Sequence, residues 1–89
     1  MDTQGIEKPE LKETLEDLKE LVLHNDDYNT FEHVIECLIS VCDHHSTQAE
    51  QCAYIVHYNG KCTVKNGPKD KLEPLLYSLK KQNLTVELR

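Results

Sequence analysis

The pattern that most constrains this chain is an apolar stripe between Phe31 and Cys42 that repeats every three to four residues. Its members recur at the spacing of one face of an α-helix, and they are Phe31, Val34, Ile35, Leu38, Ile39 and Cys42. A helix with such a stripe gains most of its stability by packing against another apolar surface. A chain of 89 residues has room for one domain with one core, so that surface must come from the same domain.

Two predicted elements flank this helix. Upstream, LKELVLH at Leu18–His24 predicts a strand, which the turn formers Asn25, Asp26 and Asp27 end. Asn29 is predicted to cap the helix, with Glu32 completing a capping box. Downstream, a second helix is predicted from Ser46 or Thr47 to about Tyr58, with an apolar face made of Ala49, Cys52, Ala53 and Val56.

The last third of the chain supplies the remaining predicted strands and helix. KCTV at Lys61–Val64 predicts a short strand, and Asn66, Gly67 and Pro68 predict a turn. Leucines from Leu72 to Leu79 indicate a third helix, with Pro74 expected near its first turn. The alternating LTVEL of Leu84–Leu88 predicts a last strand. The predicted fold is α+β in the order β-α-α-β-α-β, with a small three-stranded sheet and three helices on one face.

The polar N-terminal segment differs from the rest of the chain. Residues 1–17 (MDTQGIEKPELKETLED) are polar and contain Pro9, and they are predicted to form a flexible N-terminal arm. Residues 18–89 are predicted to form the core domain. The acidic N-terminus does not resemble a signal peptide, and no apolar run approaches the about 20 residues of a membrane span. We therefore expect a cytoplasmic protein without membrane contact.

Charge narrows the classes of partner. The net charge is −6, from ten Lys and Arg against sixteen Asp and Glu. Nucleic-acid binding needs a basic patch, so we expect no nucleic-acid partner. An acidic protein attracts cationic groups instead, including the α-ammonium group of a polypeptide. A monomer is the simplest expectation for the oligomeric state.

The four cysteines, Cys37, Cys42, Cys52 and Cys62, contain no C-x-x-C spacing. Cys42, His44, His45 and Cys52 form no recognised zinc-ligand pattern either, so we expect no metal and no cofactor. The simplest interpretation is that the cysteines are small residues at buried or half-buried positions.

Two polar segments stand out against this frame. His24–Asn29 (HNDDYN) lies between a predicted strand and a helix, and Val56–Lys61 (VHYNGK) lies at the end of the second helix. Taken singly, the acidic turn is typical of a helix cap, and a histidine in the last turn of a helix is typical of capping or packing. An α-ammonium group, however, has three donors. The Asn25 oxygen, the Asp26 carboxylate and a neutral His57 ring nitrogen together supply three acceptors.

In these two segments the chain resembles the ClpS adaptors of the Clp AAA+ proteases. The matching stretches are NDDYNTFEHV at Asn25–Val34 and VHYNGK at Val56–Lys61, and the alignment from Val34 through His57 has no gap. The resemblance implies an adaptor that binds proteins beginning with Leu, Phe, Tyr or Trp (N-degrons). It also implies delivery of these proteins to a Clp AAA+ unfoldase, either ClpA-like or ClpC-like.

Site residues are carried over where the motifs match. The resemblance implies that Asn25, Asp26 and His57 hold the substrate α-amino group, with Asp27 and Tyr28 as supporting motif positions. It implies a hydrophobic pocket lined by Asn29, Phe31, Val34, Ala53, Val56 and Leu84. Asn29, Phe31 and Ala53 depart from the family pattern, which usually has Thr, Met and a larger residue at these positions.

Two alternatives remain. A cysteine hydrolase would pair Cys52 or Cys62 with His57, but Cys52 and His57 are five positions apart on one predicted helix and point to different sides. No third group that would orient the histidine suggests itself, so we expect no catalytic residues. A structural protein–protein interaction module of the same fold, without a pocket for an N-terminal amine, is the other alternative, because a fold alone does not fix a function.

Overall fold

The computed structural model describes residues 18–89, in which three strands and three helices follow the order β-α-α-β-α-β. The bounds are β1 Leu18–His24, α1 Phe31–Cys42, α2 Ser46–Asn59, β2 Lys61–Pro68, α3 Lys69–Lys81 and β3 Val86–Leu88. The predicted fold class and element order are confirmed. The arm predicted for residues 1–17 lies outside the described residues and stays a prediction. No helix within residues 18–89 is long and apolar enough to cross a membrane.

β1 is the central strand of the sheet. The sheet order is β2-β1-β3, and both neighbours run antiparallel to β1. Leu21, Val22 and Leu23, in the middle of this strand, are all almost fully buried. Leu21 and Leu23 belong to the core cluster that the helices cover.

The helices bury their apolar faces against this sheet. α1 buries Cys37, Leu38 and Cys42, and the first turn of its stripe continues into the half-buried Val34. The buried residues of α2 and α3 are Ala49, Cys52, Ala53, Val56, Leu72, Leu76 and Leu79. Three- and four-residue spacings within these sets are those of one helix face. One core therefore lies between the sheet and the helices.

The start of α1 differs from the prediction. Its N-cap is Thr30, whose hydroxyl accepts a hydrogen bond from the His33 backbone N–H at 3.1 Å. Asn29 does not cap the helix, because its side-chain amide donates to Asp26 and to the Asn83 carbonyl instead. Threonine is also among the residue types preferred at the capping position.

β2 is longer than predicted. Asn66, Gly67 and Pro68 do not form a turn but continue the strand, and Pro68 is the register partner of Leu18. Proline is tolerated here because β2 is an edge strand and Pro68 is its last residue.

The last helix and strand differ from the prediction in detail. Pro74 is the sixth residue of α3 and not part of its first turn. β3 begins at Val86 instead of Leu84, since the Leu84 backbone N–H donates to the Leu79 carbonyl at the end of α3, at 3.1 Å. An amide used to finish a helix is not available to a sheet ladder.

Candidate functional site

The sheet brings the two polar segments of the sequence together. β1 ends at His24 and β2 begins at Lys61, and these two residues are register partners. One residue beyond each, the Asn25 backbone N–H donates to the Gly60 carbonyl at 2.8 Å. Gly60 has a φ of 95°, in the left-handed region that favours glycine, and this lets the chain leave α2 and enter β2 at once. The turn after β1 and the end of α2 are therefore neighbours.

Between them lies a cavity of about 260 Å³. It is lined by residues from the turn, from the start of α1 and from the second half of α2: Asn25, Asp26, Asp27, Asn29, Thr30, Phe31, Val34, Ala53, Val56 and His57. The three predicted amine-binding positions and five of the six predicted pocket positions thus line one cavity. Whether they bind an N-terminus is a separate question of function.

Asp26 holds the turn together. Its Oδ1 accepts hydrogen bonds from the backbone N–H groups of Tyr28 and Asn29, both at 3.0 Å. Its Oδ2 accepts from the Asn29 side-chain amide and from the Thr85 hydroxyl, both at 2.9 Å. Burial by itself would raise the pKa of Asp26, but these hydrogen bonds outweigh it and lower the pKa below the ordinary value. A carboxylate has room for about four such bonds, so Asp26 has little left for a ligand.

Asn29 extends this bracing across the fold. Its side-chain amide donates to Asp26 Oδ2 and to the Asn83 carbonyl, both at 2.9 Å. Together with the bond from Thr85 to Asp26, this fastens the turn to the segment that precedes β3. Asn29 therefore lines the cavity as a polar brace, and not as part of an apolar wall.

Asp27 and Asn25 present the polar groups that remain available. Both residues are exposed and line the cavity. Within residues 18–89, the structure shows no hydrogen bond to the Asp27 carboxylate or to the Asn25 side chain. Their oxygens can therefore accept from a ligand without breaking a bond inside the protein.

His57 faces these acceptors from the last turn of α2. The residue is exposed, and its ring lies 4.8 Å from the ring of Tyr58 in an edge-on arrangement. The part of the chain that the structure describes provides no hydrogen-bond partner for its ring nitrogens. The neutral ring has one donor and one acceptor nitrogen, so it can accept a hydrogen bond in the cavity.

The apolar wall comes from two helices. Phe31, the first residue of α1, and Val34 contribute from one side, and Ala53 and Val56 contribute from α2. The Phe31 ring is held by Tyr54, with 4.9 Å between the ring centres and an edge-on geometry. Tyr54 is stacked in turn on Tyr58, at 6.1 Å. A row of aromatic contacts, called the aromatic rim below, therefore runs from Phe31 in the cavity lining through Tyr54 to Tyr58, the neighbour of His57.

Leu84, also predicted as a pocket residue, does not line this cavity. The side chain is 5% exposed and belongs to the core cluster. It borders a different hollow, with Asn83 and Thr85, because its backbone finishes α3 instead of entering the sheet. Tyr28, predicted as a supporting position, is 87% exposed and lies outside the cavity lining, although its backbone N–H binds Asp26.

Two residues at the cavity or in contact with its lining were not predicted, namely Thr30 and Thr85. Thr30 lines the cavity and caps α1, and its place directly before the apolar stripe was a signal that could have identified it. Thr85 supports Asp26 from 59 positions further along the chain. No local pattern connects Thr85 with the turn, so only the fold reveals this contact.

The geometry also bears on metal and cysteine chemistry. Among residues 18–89, no three His, Cys, Asp or Glu side chains are grouped so that they could hold a metal ion. Cys52 is buried and its sulfur contacts Cys62, not His57. Burial, together with the hydrogen bond to Cys62, raises the pKa of the Cys52 thiol. A raised pKa disfavours the thiolate that nucleophilic catalysis needs.

Fold and site together define a small α+β domain with a cavity of about 260 Å³ between a strand-to-helix turn and two helices. The family model described as "ATP-dependent Clp protease adaptor protein ClpS" matches residues 15–87. The chain therefore belongs to the ClpS family of Clp protease adaptors, as the two motifs indicated.

Individual relatives agree with this assignment. The ClpS adaptor of Nostoc sp. is 35% identical over 77 residues, which cover 85% of this chain and 78% of the relative. That of Synechocystis sp. is 32% identical over the same coverage of both chains. The solved structure of Agrobacterium tumefaciens ClpS2 bound to L-phenylalaninamide superimposes with a TM-score of 0.74 at 23% identity, over 82% of this chain and 95% of that one. The match to that structure shows the shared fold.

Proposed function

We propose that the cavity binds the free N-terminus of a protein that begins with a bulky hydrophobic residue, namely Leu, Phe, Tyr or Trp. The observation that carries the proposal is that unused polar acceptors and an apolar wall line the same cavity. The acceptors are Asn25, Asp27 and His57, and the wall is formed by Phe31, Val34, Ala53 and Val56. An N-terminal residue presents this same combination, an ammonium group one carbon away from an apolar side chain.

Asp26 and Asp27 would have different roles in binding the amine. Asp26 already accepts four hydrogen bonds and supplies negative charge next to the ligand while it fixes the turn. Asp27 has a carboxylate with free lone pairs, so it is the better direct acceptor, together with Asn25 and His57. Hydrogen bonds to a charged group contribute about 1.5 to 3 kcal/mol each, which makes this the specific part of recognition.

The size of the cavity fits a single side chain. Pockets for drug-sized ligands occupy about 300 to 1,000 Å³, whereas this cavity measures about 260 Å³. L-phenylalaninamide, the ligand of the Agrobacterium relative, combines a free α-amine with one aromatic side chain. A ligand of this kind supports the proposal, because one residue with its amine is all that such a cavity needs to accommodate.

The second half of the proposal is delivery. Membership of a family of Clp protease adaptors supports a role in which the bound protein is handed to a Clp AAA+ unfoldase. The unfoldase is of the ClpA or the ClpC type. In this role the protein would bind and hand over its cargo, and it would need no catalytic residues of its own.

The decisive experiment measures binding of peptides with free and acetylated N-termini. Peptides beginning with free Leu or Phe should bind with a Kd near the micromolar range, because one buried side chain and a few charge-assisted bonds must also offset the cost of association. Acetylation removes the charge and two of the three donors, so it should abolish binding. A peptide with the same sequence but an initial Gly is the matched control for the side chain.

Equal affinity for the free and acetylated forms would refute the proposal and favour a structural interaction module of the same fold. Delivery is tested separately, with a reporter protein that begins with Leu and purified unfoldases of the ClpA and ClpC types. The adaptor should accelerate degradation of this reporter and not of one that begins with Gly.

A further inference from the structure

Two of the cysteines meet at the junction of α2 and β2. The sulfur of Cys52, in the middle of α2, lies 2.7 Å from the sulfur of Cys62, the second residue of β2. This is closer than the about 3.5 to 4.0 Å at which non-bonded heavy atoms attract one another best. Both thiols are free in the structure. The simple interpretation of these cysteines as small packing residues does not explain why their sulfurs point at each other.

The pair lies directly behind the cavity. Cys52 precedes the cavity residue Ala53, and the chain between the two cysteines contains Val56 and His57 as well. Cys52 is 6% exposed, whereas Cys62 is half-buried. Cys62 is therefore the more accessible of the two to a small reagent from solvent, and Cys52 lies next to it in the core.

We propose that Cys52 and Cys62 form a reversible disulfide when the protein meets a peroxide. A disulfide bond measures about 2.03 to 2.05 Å, so the two sulfurs need to approach each other by less than about 1 Å. The link would join α2 to β2 behind the three cavity residues that α2 contributes. The proposal does not depend on which ligand the cavity binds.

The chemistry follows from the exposure of the two sulfurs. Cys62 attacks the peroxide, whose O–O bond breaks, to give a sulfenic acid at Cys62 and one molecule of water. Cys52 then attacks the Cys62 sulfur, so that the S–S bond forms and the S–O bond breaks. The departing hydroxide takes the Cys52 thiol proton and leaves as a second water. Two thiols and one peroxide thus give one disulfide and two waters, and an external dithiol reverses the step by exchange.

Cys42 is the competing partner. It is buried in the same core, and burial raises the pKa of its thiol to about 11. The structure shows no hydrogen bond between its sulfur and those of Cys52 and Cys62, whereas the Cys52 and Cys62 sulfurs meet at 2.7 Å, and these two are therefore the proposed pair. Cys37 lies elsewhere on α1, with its sulfur 3.6 Å from the His33 ring.

The test treats the folded, reduced protein with a small molar excess of hydrogen peroxide. We expect two of the four thiols to disappear and the monomer to lose two hydrogen atoms in mass. Trypsin releases Cys62–Lys65 as a tetrapeptide, and that tetrapeptide should now be attached to the fragment that holds Cys52. Cleavage after Glu36 and Glu50 by a glutamate-specific protease separates Cys52 from Cys37 and Cys42, and so identifies the partner.

A stability measurement gives a second outcome. The oxidised protein should melt on the order of 10 °C higher than the reduced one, because a cross-link restricts the unfolded chain. Cys62→Ala should abolish both the loss of thiols and the rise in melting temperature, while Cys37→Ala, as the matched control, should keep both. A bridge between Cys42 and Cys52, a bridge between two chains, or oxidation of Cys62 to a sulfinic acid without any bridge would each overturn the proposal.

Discussion

The turn at Asn25–Asn29 and the end of α2 face each other across the cavity, but they are held in place in different ways. The turn is fastened by four hydrogen bonds that converge on Asp26, and one of them comes from Thr85, near the far end of the chain. The end of α2 is fastened by packing of Ala53 and Val56 and by the aromatic contacts of Tyr54 and His57 with Tyr58. One side of the cavity is a polar frame, and the other is an apolar surface that ends at His57.

This difference assigns different tasks to the two walls. A polar frame with fixed geometry suits recognition of the ammonium group, which is the same in every ligand. In the proposed complex the apolar wall contacts the side chain, which differs from ligand to ligand, so that residues of α1 and α2 set the preference among ligands. Changes in the frame should therefore affect all ligands alike, and changes in the wall should alter their ranking.

The largest effect is expected at the frame. Asp26→Ala removes four hydrogen bonds and leaves the Asn29 amide and the Tyr28 backbone N–H without their partner. We expect a loss of about 2 to 4 kcal/mol in the free energy of unfolding, together with loss of binding for every ligand. Denaturant unfolding and peptide binding, both measured at neutral pH, check this expectation.

Asp27→Asn is the matched control for Asp26. Its stability should stay within about 0.5 kcal/mol of the parent, since Asp27 is exposed and braces nothing within residues 18–89. Its affinity should still fall by about 10- to 100-fold, because a charged acceptor becomes neutral. If Asp27→Asn bound normally and only Asp26→Ala did not, the proposed division between the two aspartates would be wrong.

The lowered pKa of Asp26 also predicts how the stability of the protein changes in acid. Its pKa is lowered in the folded protein, so its charged form contributes stability that is present above the ordinary carboxyl pKa, about 3.9, and is lost as pH falls through the folded value. The free energy of unfolding of the parent protein should drop in this acid range. The Asp26→Ala variant should show a shallower drop from the lower starting stability.

The next effect concerns His57 as an acceptor. His57→Ala should weaken binding of all N-terminal peptides by about 10- to 100-fold. In the parent protein, binding should also weaken in mildly acidic solution, because a protonated imidazole has no lone pair and repels the ammonium. The ligand amine stays protonated throughout this range, since α-amino groups titrate near 8.

His57→Ala should remove this pH dependence, and His45→Ala should keep it. His45 is exposed at the start of α2 and lies outside the cavity lining, which makes it a suitable control. If His57→Ala kept the pH profile of the parent, a group other than His57 would be responsible for the pH dependence of binding.

The frame also marks where prediction from the sequence succeeded and where it stopped. β1 was predicted with its observed bounds, because LKELVLH is apolar enough for a central strand and the Asn and Asp residues that follow end it. The cavity residues of the turn and of α2 were found because two local motifs matched a family pattern. These are features that a short stretch of sequence can encode.

What the sequence could not show depends on contacts between distant residues. The bond from Thr85 to Asp26 and the one from Asn29 to the Asn83 carbonyl exist only once β3 lies beside β1. The predicted start of the last strand at Leu84 was wrong for the same reason, since strand alternation does not reveal that the Leu84 amide finishes α3. The extension of β2 through Gly67 and Pro68 follows from pairing with Leu18 and Lys19, which overrides their local preference for a turn.

Substitutions in the apolar wall should have smaller effects on affinity than substitutions in the frame, and these effects should differ between ligands. Ala53 is a small residue one turn before His57, and it leaves volume that a large side chain can fill. The parent protein should bind peptides beginning with Phe or Trp at least as well as those beginning with Leu. Peptides beginning with Val or Ile should bind poorly, because their branched Cβ meets the Phe31 ring. Ala53→Met should shift the ranking toward Leu and against Trp by about tenfold.

Competition between peptides that differ only in the first residue measures this ranking directly. Because Ala53 is buried, the variant must first be shown to unfold cooperatively, so that a change in ranking is not mistaken for loss of the fold. Parent protein that binds Ile as tightly as Phe, or an unchanged ranking in Ala53→Met, would contradict the role assigned to this wall.

The smallest expected effect is at the aromatic rim. Tyr54 is 54% exposed, but its ring meets Phe31 edge-on at 4.9 Å and so limits how far Phe31 can swing away from the cavity. Aromatic pairs of this geometry contribute about 0.5 to 1.5 kcal/mol. Tyr54→Ala should therefore weaken binding of Phe-initiated peptides only about two- to fivefold. Ile-initiated peptides should lose less affinity or gain some, because a more mobile Phe31 rejects a branched Cβ less strictly.

Tyr77→Ala is the control, because Tyr77 is an exposed tyrosine on α3 away from the cavity, and this substitution should change neither affinity. A uniform loss for Phe and Ile in Tyr54→Ala would mean that Tyr54 contacts the ligand chain itself and does not act through Phe31.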